Sequence, residues 1–507
     1  MCRLRSRCDF APLLAKRKVC AICQSNHAVL SLTRFAFSSH CVHGLFLLQS
    51  TSCSIMPSAI PISPVREPSG ITKFTNCRIV RDNALVYDDL WFSSVAGKVL
   101  HSQQVFYEHQ LVPDETVDLG GRIVASGFID VQLNGGFGFD FSVVPDDISL
   151  YAKGVRRVNR SLIRTGVTSY LPTLTSQDKS VYHKALPFLG PSGSRRNAAD
   201  GSESLGAHCE GPFLNPTKNG VHSVSVLRTA PRGMADLEEC YGAENMQGGS
   251  DTNTRSQIRL ITLAPELPGT LSCIPALRAR GIDVSIGHSE ASFEEASAAI
   301  SAGAAMITHL FNAMRPLHHR NPGIFGVLGT AATTTSSQTK PFFGLIADGI
   351  HLHPTTIKIA WHAHPAGMVL VTDAMALAGL GDGVYDWTNG SRIVKRGSVL
   401  TQQETGRIAG SAVSLIECVN NFLNWSGASV PEAVGAVTRT PARMLGVQDT
   451  KGSLLPGADA DFVVLSEDVL PGAEGECPIR RLNVDQVWKF GRRVFDVADE
   501  EEEMATK

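Results

Sequence analysis

The chain has 507 residues, 43% of them hydrophobic and 19% charged, with a formal net charge of −2. That length suits one large barrel with a smaller satellite, and the apolar share supports a sizeable core. A near-zero charge argues against nucleic acid as the main partner. The lack of any uninterrupted apolar run of about eighteen residues argues against a membrane span.

Residues 1–55 stand apart from the rest. They carry Arg3, Arg5, Arg7, Lys16, Arg17, Lys18 and Arg34 against a single acid, Asp9, and hold Cys2, Cys8, Cys20, Cys23, Cys41 and Cys53. Basic, serine-containing and acid-poor is the composition of an organelle transit segment. Cys20-x-x-Cys23 with His27 is half of a zinc site, without a second pair at suitable spacing. The plainer reading, preferred here, starts translation at Met56 and makes 1–65 an extension of a cytoplasmic protein. The remaining cysteines are scattered, as in a reduced interior rather than a disulfide framework.

Residues 66–122 show short alternating stretches, Cys77–Val80 and Ala84–Phe92, with turn residues between them. Eight apolar, β-branched-rich runs follow: Ile123–Val131, Val167–Leu174, Ser204–His208, Ile258–Leu263, Ile282–Ile286, Ala305–Thr308, Phe342–Ala347 and Met368–Thr372. Amphipathic helical patterns separate several of them, at Thr270–Arg280, Pro354–His362 and Ser292–Ala302, the last opened by the capping box Ser292-Phe-Glu-Glu295. Buried strands alternating with helices mean a parallel sheet, and eight in about 250 residues predict an α/β fold of the (β/α)8 barrel type over 123–450. A doubly wound open sheet is the rival. It is disfavoured because the polar motifs follow at least four different strands.

Helices Ser411–Trp425 and Pro431–Leu445 are predicted to seal the last strand. Residues 451–497, with Asp461–Leu465 and Val484–Phe495, repeat the pattern of 66–122, so both chain ends are expected to build one small flanking β-sandwich. Residues 498–507 read as a solvated acidic tail. Gly190–Ser204, Gly242–Gln257 and Thr330–Lys340 are polar and low in complexity, as surface insertions are.

The chemistry sits at strand ends. His208-Cys-Glu-Gly-Pro-Phe213, Gly287-His-Ser289, Thr308-His-Leu-Phe-Asn-Ala-Met314 and Thr372-Asp-Ala374 each follow an apolar run. A histidine in that position is most often structural. In a barrel, however, the carboxyl ends of the strands face one mouth, where Glu210, His288, His309 and Asp373 would meet. Two histidines and one glutamate with an open fourth position are a catalytic zinc arrangement, and Asp373 is the candidate to take and return a proton. The rival role for Asp373 is a helix cap. Zinc is the first choice of metal, and iron, manganese and cobalt suit the same donors. In Gly127-Phe-Ile-Asp-Val-Gln132, Asp130 and Gln132 occupy the place where many metal-dependent amide hydrolases put a His-x-His pair. Gln132 is a poor ligand for a second cation, so a single ion is expected.

From about residue 71 to residue 495 the chain resembles the amidohydrolase superfamily, and within it the N-acetylglucosamine-6-phosphate deacetylase family. The resemblance rests on the motifs above and on Gly127–Gly135, Ala264-Pro-Glu266, Ala347-Asp-Gly-Ile-His351, Ala409-Gly-Ser411 and Gly457-Ala-Asp-Ala-Asp461. It implies hydrolysis of the acetamide of N-acetylglucosamine 6-phosphate to glucosamine 6-phosphate and acetate. It also implies metal ligands at Glu210, His288 and His309, with Asp373 as the catalytic acid and base. Substrate contacts are implied at Val221, His222, Asn312, the Ala313 backbone, Arg320, Asp348, His351 and the Ile408-Ala409-Gly410 turn. Arg320 suits a phosphate, and the resemblance implies a homodimer in which it reaches the neighbouring site. His222 would polarise the amide carbonyl. His318 and His319 read as surface residues. The rivals are a cyclic-amide hydrolase, which acetate release separates from ring opening, and a non-catalytic scaffold, which metal analysis separates.

Overall fold

The computed structural model describes residues 68–248, 256–330, 340–386, 391–472 and 478–506. The expectations for 1–65, for most of Thr330–Lys340 and for part of Gly242–Gln257 lie outside them.

The ring is built from β1 (Phe128–Leu133), β2 (Val167–Leu174), β3 (Ala207–Glu210), β4 (Ile258–Leu263), β5 (Asp283–Ile286), β6 (Met306–Ile307), β7 (Phe342–Ile346) and β8 (Met368–Val371). Each pairs in parallel with the next. The ring nearly closes through the loop after β8, where Asp373 N–H donates to Gln132 O and Asn134 N–H to Ala374 O, both at 2.9 Å. Ile129, Val131, Leu171, Leu260, Met306, Ile346, Val369 and Val371 form one buried cluster with Ala442, Met444 and Leu445, a filled barrel interior rather than a pore. The helices between strands bury their apolar stripes against the outside of the ring. The helix Phe293–Ser301 starts at the expected capping box, in which Ser292 N–H donates to Glu295 Oε2 at 2.8 Å. Among the described residues no helix is long and apolar enough to cross a membrane.

Several elements differ from expectation. Gly190–Ser204, expected as a surface insertion, ends in the buried strand Glu203–Ser204, which pairs in parallel with β2. Ile123–Val131 is not one strand: Ile123–Ser126 pairs with Phe462–Leu470 and Arg78–Arg81 in a six-stranded sheet, and the barrel begins at Phe128. Gly127 sits at the switch, where a Cβ would lie 2.2 Å from Thr168 Oγ1. Pro431–Leu445 is two short helices, Val430–Gly435 and Arg439–Met444, because the backbone breaks at Thr438. Pro441 falls in the first turn of the second, where its missing N–H costs nothing. Ile408-Ala409-Gly410 is strand, not turn; Ile408–Ser411 edges a four-stranded antiparallel sheet with Gly383–Asp386, Arg392–Arg396 and Val399–Gln402.

The chain ends contribute two sheets. The six-stranded one runs Arg492–Asp496, Ile479–Lys489, Phe462–Leu470, Ile123–Ser126, Arg78–Arg81, Ala84–Tyr87, and a four-stranded one carries Ile71–Thr75. Phe74, Phe92, Phe462 and Trp488 pack in one buried cluster, with Phe74 edge-on to Phe92 at 5.0 Å and to Trp488 at 5.2 Å. The acidic tail continues as the helix Val497–Thr506.

Candidate active site

At the carboxyl ends of the strands the structure brings three donor atoms together. Glu210 Oε1 lies 3.2 Å from His288 Nε2 and 2.9 Å from His309 Nε2, and the two ring nitrogens are 3.0 Å apart. All three residues are nearly fully buried. Glu210 ends β3, while His288 and His309 stand just beyond β5 and β6. His288, His309 and Asp373 hold φ at 48°, 24° and 47°. Left-handed backbone at a non-glycine residue costs of order 1–3 kcal/mol and persists where the surroundings impose it, typically at functional sites.

The hydrogen-bond partners fix what each ring can offer. His288 Nδ1 lies 2.7 Å from the Lys218 carbonyl, so Nδ1 carries the proton and Nε2 turns a lone pair toward Glu210 and His309. His222 is the opposite case. Its Nδ1 accepts from the Ser176 N–H at 3.0 Å, which leaves the Nε2 proton free to donate. Burial, then the neighbouring His288, push the His222 imidazole down to about 3, so the ring is neutral. His222 therefore fits carbonyl polarisation and not ligation, although its ring lies within reach of Glu210 and His288. A fourth imidazole, His208, lies beneath the site, with Nε2 2.7 Å from Thr262 Oγ1, and burial holds it down to about 4. That is a structural histidine.

The donor set fits a divalent cation. One carboxylate oxygen and two imidazole nitrogens form a triangle small enough for a single ion to reach every corner at about 2.0–2.2 Å. Gln132 stands at the same mouth. Its Nε2 donates to Glu210 Oε1 at 2.9 Å and to Asp373 Oδ1 at 3.2 Å, bridging the carboxylates with an amide.

Asp373 stands half-buried beside this triangle. Burial, then the Glu210 charge, push its carboxyl up to about 6. Asn134 Nδ2 donates to Asp373 Oδ1 at 2.7 Å, leaving Oδ2 as the oxygen without these amide donors. His351 donates from Nδ1 to Asp348 Oδ2 at 2.7 Å. Burial lowers the His351 imidazole, but Asp348 more than offsets it and leaves His351 above its usual value.

The remaining expected contacts fall into two groups. Asn312 and Ala313 lie in the loop after β6, tied in by Asn312 N–H to His309 O at 3.0 Å and Ser289 N–H to Ala313 O at 3.1 Å. Asn312 Nδ2 is buried without a hydrogen-bond partner among the described residues. Ala409 and Gly410 stand next to Ser411, which bridges to Ala374. Val221, Ile408 and Arg320 are not gathered in. Val221 is 65% exposed and Ile408 50%, and Arg320 is exposed with Nη1 donating to His319 Nε2 at 3.0 Å. Asn134, Ser176 and the Lys218 carbonyl escaped the sequence reading. Asn134 alone left a trace, inside the Gly127–Gly135 motif.

A parallel barrel with a carboxylate, two imidazoles and a second carboxylate at its mouth defines a class, and residues 123–494 match the model of the amidohydrolase family. The chain is 44% identical over 403 residues to the N-acetylglucosamine-6-phosphate deacetylase of Mus musculus, covering 78% of this chain and 92% of that protein. Among solved structures, the N-acetylglucosamine-6-phosphate deacetylase of Pasteurella multocida is similar with a TM-score of 0.65 and 27% identity, over 83% of this chain and 99% of that one. The Mycobacterium smegmatis enzyme, solved as a variant in complex with N-acetyl-D-glucosamine-6-phosphate, is similar with a TM-score of 0.64 and 25% identity, over 84% of this chain and 100% of that one. The chain therefore belongs to the amidohydrolase family and, within it, to the N-acetylglucosamine-6-phosphate deacetylase family.

Proposed function

We propose that this chain is a hydrolase that removes the acetyl group of N-acetylglucosamine 6-phosphate, releasing glucosamine 6-phosphate and acetate. The observation that carries the reading is the meeting of Glu210 Oε1, His288 Nε2 and His309 Nε2 within 3.2 Å of one another, with Asp373 alongside. The relatives above act on this substrate by name.

Glu210, His288 and His309 would hold one divalent ion, zinc in the first instance. When bound, such an ion supplies Lewis acidity, which acidifies water at neutral pH and polarises an amide carbonyl. Asp373, raised to about 6, is ionised at neutral pH yet close enough in basicity to accept a proton and return it. Its free Oδ2 takes the proton of the attacking water and later delivers it to the sugar nitrogen, so that acetate leaves. The His222 Nε2–H donates to the carbonyl oxygen as negative charge gathers there. His351, held by Asp348, and Asn312 orient the sugar. Arg320, exposed in this protomer, suits the phosphate of a substrate held by a second copy, so a homodimer is the functional unit in this reading. Acetate release from N-acetylglucosamine 6-phosphate, assayed with and without a chelator, tests it. Turnover that the chelator abolishes and one equivalent of added zinc restores is the expected result, whereas no acetate from the metal-loaded protein rejects the reading.

A further inference from the structure

Ala264-Pro-Glu266, after β4, is the one strand-end motif that the reaction leaves without a task, and its carboxylate is fully engaged. Glu266 Oε1 accepts from the Glu290 N–H at 2.7 Å and from Asn215 Nδ2 at 3.0 Å, and Oε2 accepts from Ser289 Oγ at 2.6 Å. One side chain thus joins the loops after β3, β4 and β5. The joined residues flank His288 on both sides. Ser289 and Glu290 follow it directly and hold its backbone, which sits at φ 48°. Asn215 serves the ring. Its N–H donates to His288 O at 2.9 Å, and its Oδ1 accepts from Thr217 N–H at 2.9 Å and from Thr217 Oγ1 at 2.8 Å. Those bonds cap the short turn Pro216–Lys218, whose last carbonyl accepts the His288 Nδ1 proton at 2.7 Å.

Resting on the ligand set proposed above, we infer that Glu266 is a positioning residue for the metal centre. It locks the left-handed backbone of His288 and, through Asn215, the carbonyl that fixes the ring's tautomer. Partners of this kind behind a ligating histidine typically carry 10- to 100-fold of metal affinity. Glu266 reaches His288 by two routes at once, so its loss should fall at the upper part of that range.

The test is the zinc dissociation constant of the full chain, measured by chelator competition, with the melting temperature of the metal-free protein as control. Glu266→Ala should weaken zinc about 10- to 100-fold while the metal-free protein melts as the wild type does. Glu266→Gln keeps an acceptor for the Glu290 N–H and offers an amide to Ser289 Oγ, and should recover most of the affinity. Asn215→Ala removes only the ring-side route and should lose less than Glu266→Ala. Wild-type affinity in Glu266→Ala, with His288→Asn losing the ion, overturns this inference and leaves the ligand set standing. If His288→Asn also keeps zinc, the ligand set itself falls. If Glu266→Ala does not fold, Asn215→Ala decides, and wild-type affinity there overturns the inference.

Discussion

Two buried clusters of ionisable groups lie at opposite ends of the barrel strands, and they are built on opposite principles. At the mouth, Glu210, His222 and His288 place ligand atoms within 4.8 Å of one another; at the floor, Glu203, Asp459 and Asp461 do the same. By burial and donor count the two look alike. The floor, however, contains its own cations. Lys451 and Lys489 each place Nζ 2.7 Å from Asp461 Oδ2 and also bond Glu203, and Lys489 donates to Thr168 O at 3.1 Å. At the mouth, acceptor faces acceptor: the His288 lone pair meets a carboxylate and another imidazole, and Asp373 is left raised to about 6. Buried charge is therefore no signal of function in this molecule. What marks the mouth is that donor atoms are gathered there with no lysine or arginine among the described residues paired to Glu210.

Substitutions at the two ends should separate activity from stability. Asp373→Asn is expected to leave the metal content at one equivalent and to lower turnover about 10²- to 10⁴-fold, the range for a lost general acid–base group. Its melting temperature should not fall, because a half-buried carboxylate held above its usual pKa is more costly to bury at neutral pH than a neutral amide. Near-normal turnover in that variant would remove Asp373 from the mechanism. The wild-type pH profile belongs to the same prediction. Asp373 must be ionised to accept a proton, so kcat/KM should fall as pH drops through about 6.

Lys489→Ala should do the reverse. It leaves Glu203 and Asp461 buried with one ammonium fewer, and breaking such a pair typically costs 3–5 kcal/mol. Urea unfolding should register that loss, while kcat of the folded variant stays at the wild-type value. The pH response differs as well. Burial raises the Asp461 carboxyl, but Lys451 and Lys489 outweigh it and hold it far below 3.8. A depressed carboxylate contributes stability that is complete above its unfolded value and erodes only as pH falls below it. Activity should thus fade near pH 6 while the fold still holds. A common midpoint for both would show that the two clusters are not independent.

The same contrast explains what the sequence could disclose. Val167–Leu174 and Ile258–Leu263 were read to the residue, because strands buried on both faces are continuous apolar runs. The four residues at the mouth were legible because each follows such a run. Strand Ile123–Val131 was misread as continuous because Gly127 changes sheet without changing hydrophobicity. The meander ending in Ile408–Ser411 was missed because its strands are only four or five residues long and bury at most alternate positions, unlike the continuous runs of the barrel. The supports of the site were illegible for a different reason. The Lys218 carbonyl is backbone, which composition does not show, and Glu266 meets Ser289 and Asn215 across long stretches of sequence.

Asn134 gives the smallest effect and the sharpest test of how the mouth is organised. It is 3% exposed, its Nδ2 donates to Asp373 Oδ1 at 2.7 Å, and its Oδ1 has no partner among the described residues. A native fold keeps a buried amide half satisfied where its other half has a function, here the holding of one carboxylate oxygen so that the second stays free. Asn134→Ala removes one hydrogen bond to a charged group, worth about 1.5–3 kcal/mol. Gln132 still donates to the same oxygen at 3.2 Å. The expected loss is therefore about 10-fold in kcat, at the lower end of that energy range, with KM little changed. Losing a donor to the ionised form also moves the acid limb of the profile upward, since the carboxylate is then less favoured. An unchanged kcat and an unmoved acid limb would mean that the left-handed backbone of Asp373 orients it without help. The mouth would then owe its geometry to strain rather than to hydrogen bonds.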